Sequence, residues 1–452
     1  MATRVRGSAG RDTRTAAAES SGQRQTNSYT RGTQYTNRDR RYSSPARNSR
    51  VKTASERNLN KGTIKKRERE YDDINAVKKK SIREIIKNAI FKPASGEMDY
   101  AFLTAVIAIL AFGLVMMLSA SAPRAKALSE KSTAYYFFIR QLAFALVGVV
   151  GMFVVSKMDY REYRRFAWPL AWIGVTLLIL VLLIGTTRNG AKRWLFGIQP
   201  SEFIKPIVAM LMAHIITEKK FSMRQPREFV IPMAYMAIVC FLMIKEPHVS
   251  GVVIILGITL SIMVVAGMPV IPVVIAGLVM GSAVILGVKM FSPIRWARIT
   301  SFLNPFADQQ GSTYQITQSI YAIGSGGITG RGLGQSLQKF QFLPEPYNDF
   351  IFAVVCEELG LIGAIVVMGL FAFLIIRGIK IAMNAPDRYS MLFATGIVAH
   401  VAIQSVLNMG VASGAIPNTG ISLPFFSYGG TSLVTLLCEM GVLLNISRYK
   451  KR

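Results

Sequence analysis

The sequence is poor in the residues from which most chemical sites are built. Of its 452 residues, three are cysteine and three are histidine. Cys240, Cys356 and Cys438 all lie in apolar runs, with no C-x-x-C and no metal-like spacing to a histidine, so they read as apolar filler. His214 and His400 stand singly in apolar spans and read as satisfied bundle residues. Acids are scarce, 25 Asp/Glu against 53 Lys/Arg. The glycine-dense AIGSGGITGRGLGQS at 322–336 contains neither G-x-G-x-x-G nor G-K-[S/T], which excludes a nucleotide P-loop. Its glycines read instead as places where backbone approaches another helix or a bulky ligand. There is no internal repeat and no cleavable signal peptide, so the first apolar run is expected to act as a signal anchor.

Apolar residues make up 51% of the chain. Runs near 20 residues with few charges recur from about residue 100 onward, each long enough to cross a hydrocarbon core about 30 Å thick. They predict an all-α polytopic membrane protein with ten spans at 100–120, 137–156, 166–185, 201–217, 229–244, 249–267, 270–290, 350–377, 391–412 and 423–446. The formal charge of +28 would suit nucleic acid, but its distribution argues against that partner. Residues 1–97 hold 24 Lys/Arg against 10 Asp/Glu, and most of the remaining excess flanks apolar runs. The chain divides into a basic tail, 1–97, and a transmembrane domain, 98–452. Residues 1–60 are too poor in large aliphatics to offset ordering entropy and read as disordered. Residues 63–90 read either as a basic amphipathic helix on anionic membrane lipids or as a solvated linker.

An even span count puts both termini on one side, and the positive-inside bias makes that side cytoplasmic. The outer side then receives TTRNGAKRWLFGIQP, the KEPH turn, the long loop 291–349 between spans seven and eight, and SGAIPNTGISLPFFSYGG. These segments are the richest in Gly, Pro and polar residues, which suggests one composite outer site. In QPSEFIK, Glu202 and Lys205 are three apart on one helix face. They read either as an ion pair holding the bundle or as one aiming a lysine at an anionic ligand. Arg295 and Arg298 flank Trp296 near the interface and read either as snorkelling interfacial residues or, since guanidinium suits phosphate, as anion contacts. LPEPYNDFIFAVVCEELG sets Glu345 and Asp349 just ahead of an apolar helix carrying Glu357 and Glu358. A carboxylate at such a border can have a raised pKa and accept a proton, so Asp349 reads either as a base or as a simple carboxylate at a helix N-terminus. Glu345 is a candidate for orientation. Glu357 and Glu358, about two turns deeper, are expected to be hydrogen-bonded or ion-paired. His248 is the one histidine near this face.

Together, GAKRWLFGIQPSEFIK, FLNPFADQQGSTYQITQSIYAIGSGGITGRGLGQSLQK, LPEPYNDFIFAVVCEELG and NMGVASGAIPNTGISLPFFSYGGTSL resemble the SEDS family (shape, elongation, division and sporulation), most of all its FtsW/SpoVE branch. The match runs from about 100 to 447. It implies a peptidoglycan glycosyltransferase of the cytoplasmic membrane, at the division septum or in sporulation, that polymerises lipid II at the outer face with inversion. The essential aspartate is then Asp349 and the motif ion pair is Glu202 with Lys205. Arg193, Arg295, Arg298, Glu345 and His248 join these two as candidate substrate-binding residues. A class B penicillin-binding protein transpeptidase and other divisome proteins are the implied partners. No cofactor is implied firmly, although a divalent cation such as Mg2+ stays open. The chain departs from the family where EPDxGT reads EPHVSG, placing His248 where the acid stands. Rival readings are a lipid II flippase and a non-catalytic division scaffold.

Overall fold

Ten of the helices lie on the ten apolar runs, and an eleventh helix falls within the long loop. The computed structural model describes residues 96–128, 134–188, 191–218, 230–246, 248–268, 270–291, 296, 302, 304–306, 311, 313–340, 342–418 and 420–449. Residues 1–95 of the basic tail, Arg295 and Arg298 lie outside these residues. The helices are α1 (Tyr100–Leu128), α2 (Tyr136–Lys157), α3 (Tyr160–Ile184), α4 (Pro200–Glu218), α5 (Val230–Lys245), α6 (Val249–Val265), α7 (Val270–Phe291), α8 (Tyr314–Gly326), α9 (Ile351–Met383), α10 (Arg388–Ala412) and α11 (Gly430–Ser447). One antiparallel hairpin joins α3 to α4, pairing β1 (Thr186–Arg188) with β2 (Ala191–Trp194). The sequence between the two strands reads Asn-Gly, the signal for such a hairpin. Lys192 Nζ donates to the carbonyls of Leu182 and Leu183, closing the end of α3.

Among the described residues, six helices are long and apolar enough to cross a membrane: those beginning at Tyr100, Tyr136, Tyr160, Ile351, Arg388 and Gly430. They are apolar around most of their circumference because one side meets lipid and the other meets neighbouring helices. Between apolar helices in lipid, close packing takes over the role that hydrophobic burial has in water. Small residues make it possible here. A Cβ at Gly441 of α11 would fall on the Met152 carbonyl of α2, and one at Gly148 would fall on Leu437.

Three expected spans need correction. The helix drawn at 166–185 starts at Tyr160, because Asp159 caps it by accepting from Arg161 N and the DYREYRR segment continues into the helix. The span drawn at 423–446 becomes helical only at Gly430, because residues 423–429 form a turn in which Phe425 has φ 66°. The span drawn at 350–377 is not one continuous helix. It breaks at Gly360, whose φ 64° and ψ −160° are outside helical space.

The break is occupied by the glycine-rich segment. Arg331 N and Gly332 N donate to the Glu357 and Glu358 carbonyls, and Leu361 N and Ile362 N donate to those of Gly327 and Ile328. Backbone groups that the helix would otherwise pair internally are thus satisfied by a second chain segment, as they must be away from water. A Cβ at Gly330 would strike the Glu358 carbonyl, and one at Gly360 would strike Gly330 N.

Candidate active site

Asp349 is the last polar residue before α9, and it is half-buried. Two loops meet around it. From the LPFFSYGG turn, Ser427 Oγ donates to the Asn348 carbonyl at 2.6 Å, and Tyr428 N donates to the Tyr347 carbonyl at 2.9 Å. Gln141 of α2 clamps the same turn, donating to Ser427 O and accepting from Gly429 N. Phe137 of α2 stacks on Tyr347 with centroids 4.9 Å apart and meets Tyr428 edge-on at 5.2 Å. From α10, Asn408 Nδ2 donates to the carbonyls of Asp349 at 2.8 Å and Ile421 at 2.6 Å. Gly420 lies alongside the carboxylate, so a Cβ there would sit 3.3 Å from Asp349 Oδ2. Asp349 is therefore held through its backbone by elements distant in sequence.

Glu345 has φ 53°, a left-handed conformation that costs a non-glycine residue of order 1 kcal/mol or more. Its carboxylate accepts from Asn348 Nδ2, closing the turn that presents Asp349. Arg124, near the end of α1, hydrogen-bonds the Tyr347 hydroxyl, while burial and the Glu345 charge push that phenol up.

The deeper acids anchor the glycine-rich loop. Glu358 accepts from Lys339 Nζ at 2.7 Å, from Ser119 Oγ of α1 and from Gly334 N. Glu357 accepts from Ser336 Oγ and Leu337 N. The two buried carboxylates are thus satisfied by backbone, hydroxyl and ammonium donors, as buried charges must be. They tie residues 334–339, which lead directly into LPEPYND, to the first turns of α9.

Glu202 and Lys205 are buried at the start of α4 and bonded at 2.9 Å. Lys205 Nζ also donates to Gln404 Oε1 of α10 at 3.0 Å, and Ser432 of α11 hydrogen-bonds Glu202. The lysine faces this helix junction, and Asp349 is connected to it through α10. Arg193 of β2 lies within electrostatic reach of Glu246, whose pKa burial pushes up to about 8 while Arg193 opposes the rise. Glu246 is fully buried, and neither carboxylate oxygen has a hydrogen-bond partner. His248 is buried at the start of α6, beside Gly251. Among the described residues no group of three or more His, Cys, Asp or Glu could hold a metal ion.

Sequence reasoning missed Gln141, Gln404, Asn408, Ser427 and Lys339. A signal for two of them was present, since His400, Gln404 and Asn408 recur every four residues as a polar stripe on an otherwise apolar helix.

The fold and site define a multi-pass helical membrane protein whose polar chemistry gathers where two signature loops meet the ends of its helices. The family of cell cycle proteins named for FtsW, RodA and SpoVE matches residues 100–452, and the chain belongs to it. Stage V sporulation protein E of Bacillus subtilis is 42% identical over 360 residues, covering 78% of this chain and 98% of that protein. The probable peptidoglycan glycosyltransferase FtsW of Trichlorobacter lovleyi is 41% identical over 358 residues, covering 78% and 93%. A chain in "Structural coordination of polymerization and crosslinking by a peptidoglycan synthase complex" superposes with TM-score 0.66 at 26% identity, covering 78% of this chain and 99% of that one. The rod shape determining protein RodA of Thermus thermophilus superposes with TM-score 0.59 at 25% identity, covering 78% and 98%.

Proposed function

We propose that this chain is a peptidoglycan glycosyltransferase that polymerises lipid II into glycan strands at the outer face of the cytoplasmic membrane, for septal wall growth or sporulation. The observation that carries this reading is the fastening of the LPEPYND loop, which ends in Asp349, to the LPFFSYGG turn and to Asn408 of α10, in a chain that matches its family over residues 100–452. Ten spans with both termini cytoplasmic would put those loops outside, where both lipid-anchored substrates can reach them.

Asp349 acts as general base. It takes the proton of the acceptor GlcNAc 4-hydroxyl as that oxygen attacks the donor's anomeric carbon, contributing about 10²–10⁴-fold. Undecaprenyl pyrophosphate leaves, its charge stabilised by cationic side chains. One displacement without a covalent enzyme step inverts the anomeric centre. Arg295, Arg298 and Arg193 are the proposed pyrophosphate contacts. Lys205, oriented by Glu202, contributes its charge from within the helix junction. Glu345 shapes the turn that presents Asp349, and His248 borders the substrate. A divalent cation such as Mg2+ remains a proposed ligand of the substrate diphosphate. A class B penicillin-binding protein transpeptidase is the proposed partner, supported by the crosslinking complex to which one structural relative belongs.

Purified protein with lipid II tests the reading. Wild type should give glycan polymer on a gel, and Asp349→Asn should lose it by at least about 10²-fold at normal membrane levels. Polymer from Asp349→Asn at the wild-type rate would remove the base assignment. Lipid II flipping in vesicles without polymer would favour the flippase. A dead Asp349 variant that sustains growth would favour the scaffold.

A further inference from the structure

The polar stripe of α10 extends beyond the residues that the transfer mechanism uses. His400, Gln404 and Asn408 are spaced by four, so they line one face of the helix. Asn408 fixes the backbone of Asp349, and Gln404 holds Lys205. His400 is 5% exposed and lies between Gln404 and Glu439 of α11, itself 2% exposed. Its Nε2 is 2.9 Å from Gln404 Oε1, and its Nδ1 is 2.7 Å from Glu439 Oε2. The array links α4, α10 and α11 with the segment that packs beside Asp349.

Hydrogen-bond chemistry fixes the protons in this array. A lysine ammonium has only donors, so Gln404 must turn its oxygen, not its nitrogen, toward Lys205. The amide nitrogen agrees, because it donates to the carbonyl and hydroxyl of Ser422. Gln404 Oε1 therefore also faces His400 Nε2, and an oxygen can only accept, so Nε2 must carry a hydrogen. Nδ1 then faces a carboxyl oxygen at 2.7 Å, a separation at which two lone pairs repel. One further hydrogen must lie between them. It sits on nitrogen, giving an imidazolium–carboxylate pair, or on oxygen, giving a neutral imidazole and a carboxylic acid. Both descriptions contain the same protons and the same net charge of zero.

We infer that His400 and Glu439 are positioning residues that share one proton, and that this shared proton locks the Gln404 amide holding both Lys205 and the Ser422 segment beside Asp349. Its link to turnover rests on the glycosyltransferase reading above. The route runs from Glu439 through His400 to Gln404 and then divides. One arm reaches Lys205 and Glu202. The other reaches Ser422, the neighbour of Ile421, whose carbonyl shares the Asn408 amide with Asp349. Loss of the lock leaves every substrate-facing group in place and loosens their relative positions. Small misplacements of this kind cost up to about 10²-fold in rate.

The test uses the full-length protein in detergent or nanodiscs, with two independent readouts. The first is histidine-selective nitrogen NMR, tractable because the chain has three histidines. The expected signature is a protonated Nε2 and a strongly downfield proton between Nδ1 and Glu439, absent from Glu439→Leu. An unprotonated Nε2 in wild type would overturn the proton assignment. The second is lipid II polymerisation. Glu439→Gln can still donate to Nδ1 and should keep turnover within about threefold of wild type. Glu439→Leu is similar in size but cannot bond, and should lower kcat about tenfold or more with KM little changed. Equal kcat for Glu439→Leu and wild type would overturn the positioning role. An equal loss in Glu439→Gln would overturn the claim that one hydrogen between Nδ1 and residue 439 is enough to lock Gln404. If wild type itself makes no polymer, the glycosyltransferase reading fails, while the NMR arm still decides the proton.

Discussion

Burial and charge act most directly on single side chains at Glu246. Its carboxyl is fully enclosed, and burial holds its pKa near 8 against the opposing charge of Arg193. The folded chain therefore keeps a proton that the unfolded chain releases near pH 4 (about 4.3). Stability from this group is complete below that pH and is lost as pH rises through about 8, because the native state binds more protons in between. Glu246→Gln keeps the neutral shape and removes the titration. Its melting temperature relative to wild type should rise steadily between pH 5 and about 8 and then level off, as followed by thermal unfolding in detergent. Parallel melting curves at every pH would show that Glu246 does not titrate there. The ion pair of Glu202 and Lys205 is a different case, since each buried charge satisfies the other. Lys205→Ala would leave a buried carboxylate without its cation, a loss of about 3–5 kcal/mol visible as reduced folded yield. Glu202→Gln with Lys205→Met should recover part of that yield, and no recovery would mean that the ammonium has another essential contact.

Among the elements, the glycine-rich segment and α9 form one unit. Four backbone hydrogen bonds cross between them at the Gly360 break, and Glu357 and Glu358 fasten the loop beyond. Gly330→Ala would place a methyl group on the Glu358 carbonyl at a residue with φ 80°, so overpacking and backbone strain add. The expected cost is about 2–4 kcal/mol, read as a lower melting temperature. Gly334→Ala, also at positive φ but with open space around its Cβ, should cost less, about 1 kcal/mol. Equal effects at the two positions would mean that the close crossing is not what matters. The sequence made some of this legible and hid the rest. The density of glycine in 322–336 announced close backbone approach, and two acids in an apolar run announced buried partners. The identity of those partners, Ser119 from α1 and Lys339 from the loop, depends on contacts 239 and 19 residues away in the chain, which local pattern cannot encode. The helix break was hidden because Gly360 sits in a run as apolar as any other, and only the incoming segment makes a left-handed residue favourable there. The placement of Asp349 where loop becomes helix was legible from the border between polar and apolar sequence. Its supporting residues Asn408 and Ser427 were not, because an amide and a hydroxyl inside apolar or glycine-rich segments have many uses.

For the whole molecule, the proposed orientation makes a prediction free of any assumption about catalysis. Phe196 stands at the end of the hairpin connection and is 87% exposed, whereas Asn384 is exposed in the turn between α9 and α10. The native cysteines lie in apolar helices, with Cys240 and Cys356 buried. In a background lacking them, Phe196→Cys should react with a membrane-impermeant maleimide added to intact cells, and Asn384→Cys should react only after lysis. The reverse pattern would turn the protein over and put Asp349 out of reach of exported precursor. The apolar runs made the helical membrane architecture readable from sequence alone, because a bilayer imposes length and composition more strictly than water does. That the two signature loops share one composite site was readable from sequence, but the bonds that join them were not, since a serine hydroxyl and a backbone amide have many uses.

The break at Gly360 has a mechanical consequence. Residues 351–359 are fastened to the glycine-rich segment by two backbone bonds and by the Glu357 and Glu358 side chains, whereas the long shaft that follows meets it through the amides of Leu361 and Ile362. The acid at 349 thus rides on a short stub bolted to the loop, and the left-handed glycine is the joint below it. Rocking of the shaft in the lipid, from bilayer thickness or from a neighbouring protein leaning on it, would bend at that joint instead of sweeping the acid through an arc.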